Sequence, residues 1–262
     1  MAGRTFFGTL RLAVLLAILA FVALGAWLDR TRTRSWEHTL RVTVYPLTVG
    51  DDPGVRRYVN GLVATDFEDV DGFIQREASE HDVLVNPPVH VRVSHAAKQL
   101  PPALPERPGA FTIALWSLRL RWYAARVAWS DSLPEPDIQV FATFAPLSRD
   151  GIALPDSVGL SKGLVAIANL YAAKEAVGTN QVVLAHELLH VLGATDKYVP
   201  ATGQPIVPGG LGEPERSPLY PQRYGEIMAG RIATGPGAVV MPSSLREMRI
   251  GAATAREIGW AR

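Results

Sequence analysis

The sequence predicts a mixed α/β domain (α+β in its order of elements), in which helices back a mixed, twisted β-sheet, preceded by one membrane-spanning helix. Three observations support this prediction. Strand and helix patterns alternate in the order strand-helix-strand-helix-strand-strand before residue 175. The 262 residues are 48% hydrophobic and 19% charged, which is enough apolar content for a sizeable core. A long apolar run without charge lies close to the N-terminus.

Composition and charge exclude several classes of protein. The chain has 26 Lys and Arg against 25 Asp and Glu, a formal charge of +1, so nucleic-acid binding lacks its main electrostatic driving force. It contains no Cys, which excludes thiolate metal ligands, thiol nucleophiles and disulfides. Any bound metal must therefore be held by histidine and carboxylate side chains.

The apolar run covers residues 12–28 and has no charged residue. As a helix it would be about 26 Å long, close to the thickness of a bilayer core. Arginines precede the run and Trp27 lies near its far end, which predicts a cytoplasmic tail of residues 1–11, a single-pass anchor and an extracytoplasmic domain. The alternative is a secretory signal cleaved near the small residues at 23–25, which would give a secreted protein.

The predicted domain starts near His38, after a linker of residues 29–37. Alternating or apolar stretches predict strands at 40–45, 89–93, 137–145 and 164–169. Helical patterns predict helices at 66–79, 115–128 and 252–258, and turn residues at 50–54 predict a turn. Prolines and glycines at 198–223 predict a long irregular loop, a kind of segment that is usually functional. We expect an upper lobe of residues 38–198 and a smaller lower lobe of residues 199–262.

The strongest chemical signal is the helical stretch at residues 180–194, NQVVLAHELLHVLGA. His186 and His190 lie four residues apart on one helix face, a spacing that suits one zinc ion. Glu187 can reach a water bound to that metal but is displaced from a ligand position. The rest of the helix is apolar, so these polar groups need a strong partner. The alternative is a core helix in which both histidines bind backbone acceptors.

Gly193 is placed to end this helix in a left-handed conformation and to turn the chain back sharply. Asp196 then returns towards the metal as a third protein ligand, leaving a fourth position open for water, as in catalytic zinc sites. Two alternatives stay open. Asp196 is also a common turn residue, and the third ligand could instead be a later glutamate: Glu213, Glu215 or Glu226.

Residues 186–196, HELLHVLGATD, resemble the extended zinc motif of the metzincin clan of metalloproteases, in the variant whose third ligand is aspartate. Residues 226–230, EIMAG, resemble the clan's Met-turn, with Met228 beneath the metal. The resemblance implies a zincin-like fold from about residue 38 to the end, including a C-terminal helix. One departure is Gly230, where several families carry a tyrosine; Tyr198 and Tyr224 are candidate substitutes.

The resemblance implies a zinc-dependent endopeptidase that cleaves a protein or peptide substrate. Zn²⁺ would bind water and polarise the scissile carbonyl, and Glu187 would act as the general base that passes the water's proton to the leaving amine. The strand at 164–169, expected at the sheet edge, would pair with an extended substrate. The alternative is a membrane-tethered protein that binds zinc without cleaving anything, which the missing tyrosine favours.

Overall fold

The structure of the protein is a computed structural model that describes residues 31, 33–105, 109–147, 157–160 and 164–260. Within these residues the fold is the predicted mixed α/β arrangement, with a largely parallel central sheet and five helices. The predicted span at residues 12–28 lies outside the described residues. Among the described residues, none of the helices has the length and apolarity that a membrane crossing requires.

Five strands form the central sheet: β1 (Leu40–Thr48), β2 (Val89–Val93), β3 (Ile138–Ala145), β4 (Val158–Leu160) and β5 (Val165–Tyr171). Their order across the sheet is β2-β1-β3-β5-β4. The first four in this order are parallel, and β4 pairs with β5 in the antiparallel direction. The expectation that residues 164–169 form the sheet edge is therefore wrong. The three-residue strand β4, which has too little sequence to show a pattern, covers that edge.

The five helices are α1 (Pro53–Asn60), α2 (Glu68–Glu80), α3 (Ala110–Ser130), α4 (Val177–Leu192) and α5 (Ala252–Ile258). All except α1 were predicted. The turn predicted at 50–54 ends at Asp52, because the helix begins at Pro53. The carboxylate of Asp52 accepts hydrogen bonds from the amides of Gly54 and Val55 at 2.6 and 3.0 Å. Asp52 is thus an N-cap, and Pro53 occupies the first helical turn, where it is well tolerated.

The sheet is buried on both faces, as expected for parallel strands. Side chains from α1, α2, α4 and α5 form the larger cluster with one face of the sheet. The other face is covered by α3, which packs Trp116 and Leu120 against a smaller cluster that includes Tyr45 and Phe141. The stacked rings of Tyr45 and Phe141 lie 5.2 Å apart. The result is a layered fold in which α4, the helix with the motif, lies against the sheet.

The packed part of the chain begins earlier than the predicted start at His38. The indole N–H of Trp36 donates to the carbonyl of Ile258 at 2.8 Å, and its ring meets Trp260 edge to face at 5.5 Å. The Arg34 guanidinium donates to the carbonyl of Leu192 at 3.0 Å. Residues assigned to a linker are therefore fastened to the end of α4 and to α5.

The predicted loop at residues 198–223 is mostly irregular, and the chain from residue 198 to α5 contains short strand pairings. Three of them tie it together: β6 (Tyr198–Val199) with β7 (Gln204–Pro205), β8 (Gly225–Glu226) with β11 (Met248–Arg249), and β9 (Ile232–Gly235) with β10 (Ala238–Val240). The first pairing is a small hairpin inside the predicted loop. The segment ends with α5, which stops at Gly259 in a left-handed conformation, as expected.

Candidate metal centre

Helix α4 ends at Leu192 and is capped by Gly193, the residue that the sequence predicts. This ending sets the direction of residues 194–196. Gly193 has φ +101°, the left-handed conformation that glycine adopts without strain. Its amide donates to the carbonyl of His190 at 3.0 Å, and the amide of Ala194 donates to Leu189 at 2.9 Å. This double closure reverses the chain within three residues and directs Asp196 back towards the helix.

The structure brings the three predicted ligands to one point. The Nε2 atoms of His186 and His190 each lie 3.2 Å from the same oxygen, Oδ1 of Asp196. The two imidazole rings are nearly perpendicular, at 84°, with centroids 4.6 Å apart. A tetrahedral zinc site with bonds of about 2.1 Å separates its ligand atoms by about 3.4 Å. The observed separations therefore fit a small divalent cation bound by all three side chains.

Backbone carbonyls orient both rings. Nδ1 of His186 lies 2.9 Å from the carbonyl of Ile227, and Nδ1 of His190 lies 2.9 Å from the carbonyl of Ala194. A carbonyl oxygen can only accept, so each Nδ1 must carry the proton. A neutral ring then presents an unprotonated Nε2 to the centre, which is the state a metal ligand needs.

The electrostatics of this group call for a positive charge at its centre. Two Nε2 lone pairs and a carboxylate oxygen face one another, so without a cation at least one proton must lie between them. Burial lowers the pKa of His190, but the contacts with Asp196 and with the Ala194 carbonyl outweigh burial, and the net pKa is raised. Burial raises the pKa of Asp196, but hydrogen bonds from both histidines hold it well below its usual range. A divalent cation would satisfy all three groups together.

Glu187 lies beside this centre and is buried, with 5% of its surface exposed. One of its carboxylate oxygens lies within 4.8 Å of a ring nitrogen of His186 and of a ring nitrogen of His190. The edge strand β4 passes directly over this part of the helix. A Cβ atom at Gly159 would come within 2.7 Å of the Glu187 carbonyl, so only glycine allows this approach. Sequence reasoning missed Gly159 because the strand around it was not recognised.

An open cleft of about 740 Å³ lies against His186 and Glu187. Tyr198 and Gly230 are among its lining residues. Of the two candidate tyrosines, Tyr198 therefore borders the site. Tyr224 is not among the lining residues; instead, its ring packs under the guanidinium of Arg249 at 3.7 Å.

Residues 226–230 form a tight turn beneath the site. The amide of Gly230 donates to the carbonyls of Glu226 and Ile227, both at 3.1 Å, and Met228 is fully buried. Because the Ile227 carbonyl accepts from His186, this turn fixes one of the candidate ligands. Met228 itself is a member of the larger core cluster.

The three glutamates considered as alternative third ligands are either bonded to other groups or exposed to solvent. Glu226 has no exposed surface, and its carboxylate accepts from the amides of Met228 and Ala229 and from the hydroxyl of Thr254, at 2.6, 3.1 and 2.6 Å. Its burial raises its pKa. Glu213 binds Arg223 at 2.6 Å. Glu215 is exposed. Within the described residues, Asp196 is the carboxylate that contacts both histidines.

A second residue that sequence reasoning missed is Glu257, on α5. Its carboxylate accepts from the amide and the hydroxyl of Thr195, both at 2.8 Å, and from the ammonium of Lys197 at 2.7 Å. These partners lie on either side of Asp196. We call this set of contacts the Glu257 clasp, because it holds the segment that presents Asp196. No local sequence pattern reveals it.

A scan against protein-family models gives no match, and a search of curated proteins gives none either. The resemblance to metzincins therefore stays a prediction from the residues of the motif at 186–196 and 226–230.

Proposed function

We propose that the protein is a zinc-dependent endopeptidase with a zincin-like fold. The strongest support is that Nε2 of His186 and Nε2 of His190 both lie next to the same oxygen of Asp196. The Nδ1 atom of each ring is hydrogen-bonded to a backbone carbonyl, which leaves both Nε2 atoms for the metal. The donor set fits zinc, which prefers histidine and carboxylate ligands and keeps an open position in catalytic sites. When bound there, zinc supplies a Lewis acid that polarises a carbonyl and acidifies water.

The residues of the chain would then do three things. His186, His190 and Asp196 hold the ion. Glu187, buried beside them, accepts a proton from the attacking water and donates it to the leaving amine. The outer edge of β4 pairs with an extended substrate backbone, which then lies next to the motif residues of α4. This assigns to β4 the role that the sequence had suggested for residues 164–169.

The test compares the full chain with Glu187→Gln and Asp196→Ala, with Glu80→Gln as a control at an exposed carboxylate of α2. Bound zinc is measured by elemental analysis, and cleavage of a mixed peptide pool is measured by mass spectrometry. We expect Glu187→Gln to retain zinc and to lose cleavage by at least about a hundred-fold. Asp196→Ala should lose both. Cleavage by Glu187→Gln at the wild-type rate, or absence of zinc from the wild type, would overturn the proposal.

A second candidate is a protein that binds zinc without hydrolysing anything. Gly230 favours it, because this position carries a glycine with φ +66° and offers no side chain to stabilise a reaction intermediate. Equal zinc binding by the wild type and Glu187→Gln, with no cleavage by either, would support this candidate. The burial of Glu187 next to the ligands favours the enzyme, since a metal-storage site has no use for a buried carboxylate that is not a ligand.

We also propose that residues 12–28 anchor the protein in a membrane, with the domain on the extracytoplasmic side. The support is the length and apolarity of that run. Extraction of membranes with alkaline carbonate separates an anchored protein from a peripheral one. N-terminal sequencing of the mature chain would show whether the run is cleaved.

A further inference from the structure

Helix α3 is apolar on two opposite sides. Its inner side packs Trp116, Leu120, Ala124 and Val127 into the core. Its outer side carries large apolar side chains in solvent, with the following exposed fractions: Phe111 80%, Leu115 37%, Leu118 64%, Trp122 68% and Trp129 91%. We call these five residues the outer stripe. A helix that only had to cover a sheet would have polar residues there.

The outer stripe is continuous. At 100° per residue, its five members lie within about 60° of one another and on the opposite side from the core-facing row. Single exposed apolar residues are ordinary, but a contiguous exposed patch of this kind marks an interaction surface. Two of its members are tryptophans, the residue that prefers the boundary between water and lipid.

The charged residues of helix α3 itself are all of one sign. Helix α3 contains three arginines, Arg119, Arg121 and Arg126, and no Asp or Glu. Arg119 and Arg126 border the stripe on one side and are exposed, and Arg121 borders it on the other. If a second copy packed through this stripe, the flanking arginines of two identical helices would face one another, which destabilises pairing. Anionic phosphates would instead pair with them.

A groove next to the outer stripe also combines positive charge with an aromatic side chain. The groove has a volume of about 490 Å³, and its lining includes Lys98, Arg126 and Trp129. Within the part of the chain that the structure describes, none of its eight lining residues is acidic. A cationic groove beside an exposed tryptophan suits the phosphate of a lipid headgroup whose acyl chains lie along the stripe.

We propose that α3 docks the domain on the surface of an anionic lipid bilayer. The stripe inserts its aromatic and leucine side chains at the level of the headgroups, and the exposed Arg119 and Arg126 bind lipid phosphates. This inference is independent of the peptidase function and of the predicted anchor. It would place the domain flat on the membrane, with the layer of α3 facing lipid and the layer of α4 facing away from it, since the two helices cover opposite faces of the sheet.

The natural absence of cysteine allows a direct test with single labels. The full chain carrying Trp122→Cys is labelled with an environment-sensitive nitrobenzoxadiazole group and incorporated into vesicles. One set of vesicles contains phosphatidylcholine alone, and a second set also contains phosphatidylglycerol. A proportion of the lipid carries a spin label that quenches the fluorophore on contact. Leu84→Cys provides the control position, because this leucine is 97% exposed and lies away from α3, between α2 and β2.

We expect the label at position 122 to shift to the blue and to be quenched by spin-labelled lipid in the phosphatidylglycerol vesicles, and the label at position 84 to show neither change. Arg119→Gln with Arg126→Gln should lower the docking equilibrium constant, the ratio of docked to undocked protein, about 25-fold, because each arginine near an anionic surface contributes about five-fold. Arg56→Gln with Arg57→Gln, at exposed arginines of α1, should leave it unchanged. High salt should weaken docking by screening.

Three outcomes would overturn the proposal. Equal exposure of the two labels to water in anionic vesicles would show that the stripe does not reach lipid. A blue shift without quenching by lipid, together with disulfide formation between two copies of the unlabelled Trp122→Cys protein when an oxidant is added, would show that the stripe is a dimer interface. A blue shift without lipid quenching that occurs equally in detergent, with no disulfide, would show that another segment of the chain covers the stripe.

Discussion

The Glu257 clasp gives the sharpest prediction, because one distant side chain holds the segment that carries Asp196. Replacing Glu257 with glutamine removes its charge and turns one acceptor into a donor, so at least one of the three contacts of 2.7–2.8 Å is lost. A hydrogen bond to a charged group contributes about 1.5–3 kcal/mol when buried. Because this side chain is 31% exposed, we expect a loss of about 1–2 kcal/mol in the free energy of unfolding.

Two measurements follow from this value. The melting temperature should fall by about 2–8 °C. Zinc affinity, measured by competition with a chelator, should fall about ten-fold, because residues that orient a ligand typically have effects of that size. Glu80→Gln on α2 removes the same charge from an exposed site and should change neither quantity. If Glu257→Gln lowers the melting temperature but binds zinc as tightly as Glu80→Gln does, the clasp stabilises the fold without positioning Asp196.

The clasp also has a definite pH dependence. Burial raises the pKa of Glu257, but the contacts with Lys197 and Thr195 outweigh burial and bring the pKa below its reference value of 4.5. A lowered carboxyl pKa adds stability above 4.5 and loses it as the pH falls through the folded-state value. The difference in melting temperature between the wild type and Glu257→Gln should therefore shrink as the pH falls below 4.5. A difference that stays constant through this range would contradict the argument.

Three further predictions concern the same region. Glu226→Gln should lower the free energy of unfolding by about 1–3 kcal/mol in a denaturant titration, because an amide cannot accept all the hydrogen bonds of the buried carboxylate; an unchanged midpoint would refute this. In metal-free protein, the raised pKa of His190 adds stability below 6.5 that is lost as the pH rises through the folded value, and the lowered pKa of Asp196 adds stability above 3.8. Zinc needs unprotonated histidine, so the gain in melting temperature on adding zinc should grow as the pH rises through the His190 pKa, and a constant gain would contradict the assigned ligands. Gly193→Ala should cost about 1–2 kcal/mol through its left-handed backbone, whereas Gly72→Ala, in open space on α2, should be neutral or stabilising; equal effects would show that the helix ending tolerates a side chain.

The sequence could predict the part of the site that is local. His186, Glu187 and His190 lie on one helix, and the glycine that ends the helix lies three residues after the last of them. The sharp turn of the chain at Gly193 follows from helix-ending chemistry. Asp196 could therefore be named as a candidate third ligand, with three later glutamates as alternatives, but its position also depends on the contacts of Glu257 with the residues on either side of it. Strands β1, β2, β3 and β5 and helices α2 to α5 were likewise visible in the pattern of apolar residues.

The remainder depends on contacts between residues that are distant in the chain. Glu257 contacts Thr195 across 62 residues, and His186 contacts Ile227 across 41, and no periodicity reports such pairs. Strand β4 is only three residues long, so it carries too few positions for an alternating pattern. Helix α1 was missed for a different reason: its N-cap and its proline are also turn residues, and the local signal was ambiguous.

The attachment of Arg34 and Trp36 limits where the domain can be released from its N-terminal segment. A cut between Trp36 and the first strand would leave the carbonyls of Leu192 and Ile258 without the guanidinium and indole groups that now bind them. Such a cut would remove the contact that Arg34 makes with the end of α4, the helix that carries His186 and His190. If the chain were instead cleaved near residues 23–25, the alternative that the sequence leaves open, Arg34 and Trp36 would remain and both contacts would be kept.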